Sequence, residues 1–189
     1  MKYIVIKNKQ PLKIRGSVID IETTGTDPET NEIITCGILE ADGMLIIQRK
    51  NESADVFKSA VLKQLEKMPR PFYAFNKKFE EAFLGIRIEN DVQKKEMESA
   101  IGALIDTGIV RHYNRIADPL YGGEVPVFWR LWKQTGEDLL LTKIVAHNYS
   151  SLIKQLILAL HRSGVSEEEF PELPPSTALR YKWLSVLKD

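Results

Sequence analysis

The sequence predicts an α/β fold: a mixed sheet in which three antiparallel strands precede parallel ones, flanked by helices. Three observations predict it. Three apolar, β-type runs follow one another between Ser17 and Gln48, separated by turn-forming residues. A segment of helical apolar spacing then leads to another short β-type run, as a crossover connection would. The remaining apolar segments, from Val125 onward, have helical spacing only.

In chain order, Tyr3-Ile4-Val5-Ile6 is a short apolar run that reads as a strand and is ended by Lys7-Asn8-Lys9-Gln10-Pro11. Ser17-Val18-Ile19-Asp20-Ile21-Glu22-Thr23-Thr24-Gly25 is the next strand, running out into the turn Asp27-Pro28-Glu29-Thr30-Asn31. Glu32 to Ala41 follows as a strand, and Asp42-Gly43 signals a hairpin into Met44-Leu45-Ile46-Ile47-Gln48. From Ala54 to Met68, Val56, Phe57, Ala60, Val61, Leu65 and Met68 recur at helical spacing. Pro69-Arg70-Pro71 stops that helix, because proline donates no hydrogen bond and disfavours helix in the residue before it.

Phe72-Tyr73-Ala74-Phe75 reads as a fourth strand after the first, and Asn76 to Leu84 as a short helix with Asn76 as its cap. Asn90 to Ile105 is a helix or a connection, and Asp118-Pro119 through Gly122-Gly123 is loop. Val125 to Gln134 reads as an aromatic-rich helix carrying Phe128, Trp129 and Trp132, of which at least two belong to the core. After Thr135-Gly136-Glu137-Asp138, Leu139 to Leu160 is one long helix or two in succession. Pro171 to Pro175 breaks the chain before a small closing element, Thr177 to Asp189. The expected organisation is one domain over residues 1–189, with a core of about 17–160 and a C-terminal appendage.

Composition narrows the function. The chain has 26 basic and 26 acidic residues among 189, so it has no global positive field to drive non-specific nucleic-acid binding. The single cysteine, Cys36, forms neither an internal disulfide nor a multi-cysteine zinc site, which fits a reducing, cytoplasmic location. No apolar stretch approaches the roughly 20 residues needed to span a bilayer, so no membrane role is expected. The mixed charge of Met1 to Lys13 does not match a secretion signal.

The chemistry concentrates at Asp20 and Glu22. Successive strand side chains point to opposite faces, so these two carboxylates share one. Like charges that close repel each other unless a cation neutralises them. The competing reading is a strand end running into solvent, with Glu22 wet and Gly25 making the bend. Further along stand Glu80, near the start of a helix, and His147-Asn148-Tyr149-Ser150-Ser151 in the late helical region.

Taken together, these motifs resemble the DEDD 3′-5′ exonucleases of the ribonuclease-H-like superfamily. In that family Asp-x-Glu is often followed by Thr-Thr-Gly, as it is here; Asn-x-x-Phe-Asp follows a strand; and a last aspartate stands on a helix. The YprB-type ribonuclease-H-like domains are the more similar group. Their Gly-x-x-Val-Pro, aromatic segment, Thr-Gly-Asp and His-Asn-x-x-Asp correspond to Gly122-Gly123-Glu124-Val125-Pro126, Phe128-Trp129, Thr135-Gly136-Glu137 and His147 to Ser151. The resemblance spans Val18 to Leu160. It departs at Glu80, where the family has aspartate, and at Ser151, where its last aspartate falls. A hydroxyl is a much poorer ligand for a hard dication than a carboxylate. Asp118 or Asp138, each in a loop, is the candidate carboxylate to compensate, although the sequence places neither at the site.

The resemblance implies a ribonuclease-H-like fold and phosphodiester hydrolysis with two Mg²⁺ or Mn²⁺ ions, roughly 3.5 to 4 Å apart. It implies Asp20, Glu22 and Glu80 as metal ligands, and His147 as the residue that orients or deprotonates water, as imidazoles do near neutral pH. It further implies Thr23, Asn76, Lys77, Asn148 and Ser151 as substrate-side residues, and single-stranded DNA or RNA as the partner. Lys77, Lys78, Arg130 and Lys133 are candidate phosphate contacts, although each alone reads first as a solvated helix face. The aromatic cluster is the candidate for base stacking. The competing function is a catalytically impaired nucleic-acid-binding or scaffolding module on the same fold, which Ser151 motivates.

Overall fold

The computed structural model describes residues 1–7, 11–12, 14–92 and 118–162, with side chains as far as residue 159. In chain order the elements are β1 (Lys2–Lys7), β2 (Ser17–Thr23), β3 (Ile33–Glu40), β4 (Gly43–Gln48), α1 (Ala54–Leu65), β5 (Phe72–Ala74), α2 (Lys77–Leu84) and β6 (Asn90–Asp91), then a 3-10 turn (Gly122–Glu124), α3 (Val125–Thr135) and α4 (Asp138–Arg162). The strands make one sheet in the order β1-β4-β3-β2-β5-β6. The pairs β1/β4, β4/β3 and β3/β2 are antiparallel, whereas β5 and β6 continue in parallel from β2. This is the expected mixed α/β sheet, and helices flank it.

β2 is buried along its whole length. Its alternation divides the core. Ile19 and Ile21 pack on one side with Phe57 and Val61 of α1 and Phe83 of α2. Val18 packs on the other with Val145, Tyr149, Leu152 and Leu156 of α4. Asp20 and Glu22, two and four residues beyond Val18, therefore lie on the face that α4 covers.

α4 is a single helix, and its sequence says why. Leu141, Val145, Asn148, Leu152 and Gln155 recur at spacings of three and four, the stripe by which a helix meets a sheet. Its apolar members are buried. Each buried Leu, Ile or Val contributes about 1.5–3 kcal/mol, against about 1–3 kcal/mol for a buried polar group left without a partner. The stripe therefore tolerates Asn148 and Gln155. The helix enters after Gly136, whose φ of 71° supplies the left-handed turn that ends α3.

Several local expectations are corrected. α1 stops at Leu65 rather than Met68, because the chain must turn before Pro69 and Pro71. Asn76 occupies the cap position of α2, but its side chain makes no capping bond; its carbonyl instead accepts the amides of Phe79 and Glu80. Asn90 and Asp91 form β6, in register with Tyr73 and Ala74, rather than a helix or plain connection. Gly122 and Gly123, read as loop, belong to a 3-10 turn, Gly122–Glu124. The remainder of the Asn90–Ile105 segment, the break at Pro171–Pro175 and the element at Thr177–Asp189 lie outside the described residues. Trp129 and Trp132 are core, as expected for two of the three aromatics. No described helix is long and apolar enough to cross a membrane.

Candidate functional site

The site forms where β2 passes beneath α4. Asp20 is 8 % exposed and Glu22 7 %, so the reading of a wet strand end does not apply. Asp20 is held by the two polar members of the α4 stripe. Asn148 Nδ2 donates to Asp20 Oδ2 at 2.7 Å and to its backbone oxygen at 3.1 Å. Gln155 Nε2 donates to Asp20 Oδ1 at 2.6 Å. The approach depends on the neighbouring strand, because Gly37 of β3 stands opposite Asp20. A Cβ there would lie 2.2 Å from Asn148 Oδ1 and 2.5 Å from Leu152 Cδ1.

Burial raises all three acidic groups, and like charge adds to it at Glu22 and Glu80. Burial pushes Asp20 up to about 6, against the opposing pull of His147 and its hydrogen bonds. Glu22 is raised well above the usual range, first by burial and then by the charge of Asp20. The hydrogen bond between the two lowers Asp20 and raises Glu22. Glu80, buried on α2, is pushed up to about 9 by burial and then by the charges of Asp20 and Asp91. Its Oε2 is buried with no hydrogen-bond partner.

His147 stands between two acids. Its Nε2 lies 3.7 Å from Glu22 Oε1, and its Nδ1 lies 2.6 Å from Asp118 Oδ1. Lys154 Nζ donates to the other Asp118 oxygen at 2.7 Å. Burial alone would raise Asp118, but hydrogen bonds from His147 and Lys154 outweigh it and hold the carboxyl below its ordinary value. A cavity of about 470 Å³ opens over this group. Its lining includes the polar residues Asp20, Asp118, His147, Ser151, Lys154 and Gln155 and the apolar Phe75, Leu120 and Leu158.

The structure thus brings Asp20, Glu22, His147 and Asn148 together, with Ser151 on the cavity wall. Thr23 is buried and ties the following turn, its hydroxyl donating to Gly25 O at 2.6 Å. Asn76 and Lys77 are not among the residues lining the cavity. Lys133 lies over the Trp129 and Trp132 rings and donates to the Lys50 carbonyl. Asp138 pairs with Lys50 at 3.3 Å, whereas Asp118 reaches His147. Gln155 and Lys154 were missed by sequence reasoning. Their signal was present: Gln155 follows Asn148 by seven residues on one helix stripe, and Lys154 follows His147 by the same interval.

In kind, the donors fit a hard dication, which takes carboxylate oxygens. The orphaned Glu80 Oε2, and carboxyls raised by burial and by each other's charge, mark a place where a cation would relieve repulsion. As arranged, the amide N–H groups of Asn148 and Gln155 occupy the Asp20 oxygens a cation would take. Among the described residues, no three His, Cys, Asp or Glu side chains stand together at metal-holding spacing.

No curated protein and no solved structure matches the chain. A family does: the sequence model described as RNase H superfamily matches residues 18–161, from β2 to the end of α4. The mixed sheet, the covering helices and this match agree, and the chain belongs to the RNase H superfamily.

Proposed function

We propose that this protein is a metal-dependent nuclease that hydrolyses phosphodiester bonds, and more specifically a 3′-5′ exonuclease of the DEDD kind acting on single-stranded DNA or RNA. The observation that carries the reading is Asp20: a carboxylate buried mid-sheet beside a second one, yet lining an open cavity that it shares with His147. Buried carboxylates with raised proton affinity cluster at functional sites. The family match supports nucleic acid as the substrate.

Asp20, Glu22 and Glu80 are the carboxylates that would hold Mg²⁺ or Mn²⁺. When bound, such cations stabilise the attacking and leaving oxygens of the displacement. His147 presents its ring between Glu22 and Asp118, where it can orient a water and accept its proton. Asn148 and Gln155 keep Asp20 in one rotamer. The cavity, lined by polar and apolar side chains beside Asp20 and His147, is where the substrate end would enter.

A second reading has its own observation. Ser151 lines the cavity where the resemblance places an aspartate, which favours a catalytically impaired nucleic-acid-binding or scaffolding module. One experiment separates the two: end-labelled single strands of DNA and RNA incubated with pure protein and Mn²⁺. The nuclease reading expects stepwise shortening from the 3′ end that Asp20→Ala abolishes. Intact strands at high protein concentration, retained in a binding assay, would establish the second reading instead.

A further inference from the structure

Asp118 lies outside every motif that carries the family resemblance, and it makes the shortest contact to His147. Both its oxygens are engaged, one by His147 Nδ1 at 2.6 Å and one by Lys154 Nζ at 2.7 Å. An ionised carboxylate only accepts hydrogen bonds, so Nδ1 must be the donor. A neutral imidazole carries one proton. With Nδ1 protonated, Nε2 is left as a lone pair, and Nε2 is the atom that faces Glu22 at 3.7 Å.

We infer that Asp118 is a positioning residue: it fixes the His147 imidazole with its proton on Nδ1 and turns the Nε2 lone pair towards Glu22 and the cavity. Lys154 completes the device by holding the far oxygen, so that Asp118 cannot swing away from the ring. Hydrogen bonds to ionised groups are roughly twice as strong as neutral ones, and this carboxylate has His147 and Lys154 as partners and a longer bond from the Leu120 amide at 3.4 Å. His147 and Lys154 lie seven residues apart on α4 and so share a face, which lets one loop carboxylate bridge them. The consequence for catalysis rests on the nuclease reading above; the tautomer does not.

The experiment is long-range ¹H–¹⁵N correlation on the full chain labelled at histidine, at a pH where the ring is neutral, with His147 assigned by its loss in His147→Gln. The expected spectrum has a pyrrole-type Nδ1 and a pyridine-type Nε2. In Asp118→Asn, Lys154 claims the amide oxygen and the NH₂ group turns to Nδ1, which must then accept. The proton therefore moves to Nε2. In single-turnover assays the same variant loses about 10²- to 10⁴-fold in cleavage rate, the range of general-base contributions, with little change in strand affinity. A wild-type protein with its proton on Nε2, or identical ring shifts in Asp118→Asn, overturns the inference. A flipped tautomer with wild-type cleavage overturns its catalytic role. Wild-type protein that cleaves no strand ends the nuclease reading and leaves the spectrum to decide this one.

Discussion

Gly37 leaves the space that Asn148 fills: a Cβ at position 37 would stand 2.2 Å from Asn148 Oδ1, directly across the strand pair from Asp20. The glycine is there for a neighbour's side chain, since its φ is not among the positive ones. Gly37→Ala must therefore displace Asn148 and Leu152 or lift α4. Overpacking of a filled core costs about 1–3 kcal/mol, so a urea melt should show a loss of that size. The site should suffer too, with Asp20 losing its Asn148 bonds and Mn²⁺ affinity falling. A variant as stable as wild type would mean that α4 does not seat on β3 as described.

Glu80 makes stability fall with rising pH. Its folded value of about 9 exceeds the ordinary 4.5, so between those values the folded state holds a proton that the unfolded chain has released. Stability from this group is complete below the ordinary value and is lost as pH rises through the folded one. Glu80→Gln keeps the shape without the charge. In chelator, its denaturation midpoint should vary less across that window than the wild type's, and it should exceed the wild type's at the alkaline end. Parallel curves for the two proteins would refute the assignment.

Which parts of this were legible beforehand follows from physics that is local or not. The antiparallel succession of β2, β3 and β4 was legible because turns at Asp27–Asn31 and Asp42–Gly43 punctuate the apolar runs, and hairpin geometry leaves little choice of pairing. Asp20 and Glu22 stood out as charges in an apolar strand. β6 was missed because two residues, Asn90 and Asp91, carry no period; only pairing with β5 makes them a strand. The capping role assigned to Asn76 failed since a side chain has alternatives that a cap pattern does not record. Gln155 and Lys154 sit in a helix whose register to the sheet is set by packing, so their partners at Asp20 and Asp118 became visible only with the tertiary fold.

Cys36 should be inert in the folded protein. It is fully buried on β3, and burial, then the charges of Asp20 and Glu80, push its thiol well above the usual range. The thiolate is the nucleophile, so both access and ionisation are withheld. Iodoacetamide should leave native protein unmodified over hours and label it fully in urea. Rapid native labelling would place Cys36 on the surface and contradict the β2/β3 register.

Ser151→Asp tests the charge balance of the whole site. Position 151 is on the cavity wall with Asp20 and Asp118, and one helical turn from His147. A carboxylate there adds a negative charge to a group that already raises Glu22 and Glu80 through burial and mutual repulsion. Without a cation the variant should therefore be less stable than wild type by about 1 kcal/mol, the usual scale of a single destabilising change. With Mn²⁺ the sign reverses, because the added oxygen is a hard-metal ligand and the repulsion is what the cation relieves. Calorimetric titration should show Mn²⁺ binding strengthened by about 10-fold or more, the scale on which groups around a metal alter its affinity. The melting temperature of the variant should then respond to Mn²⁺ more steeply than the wild type's, since binding only the folded state stabilises it in proportion to affinity. Unchanged Mn²⁺ affinity with unchanged metal-free stability would show that position 151 does not share a field with Asp20. The acidic pair would then have to be read as buried for packing rather than for a cation.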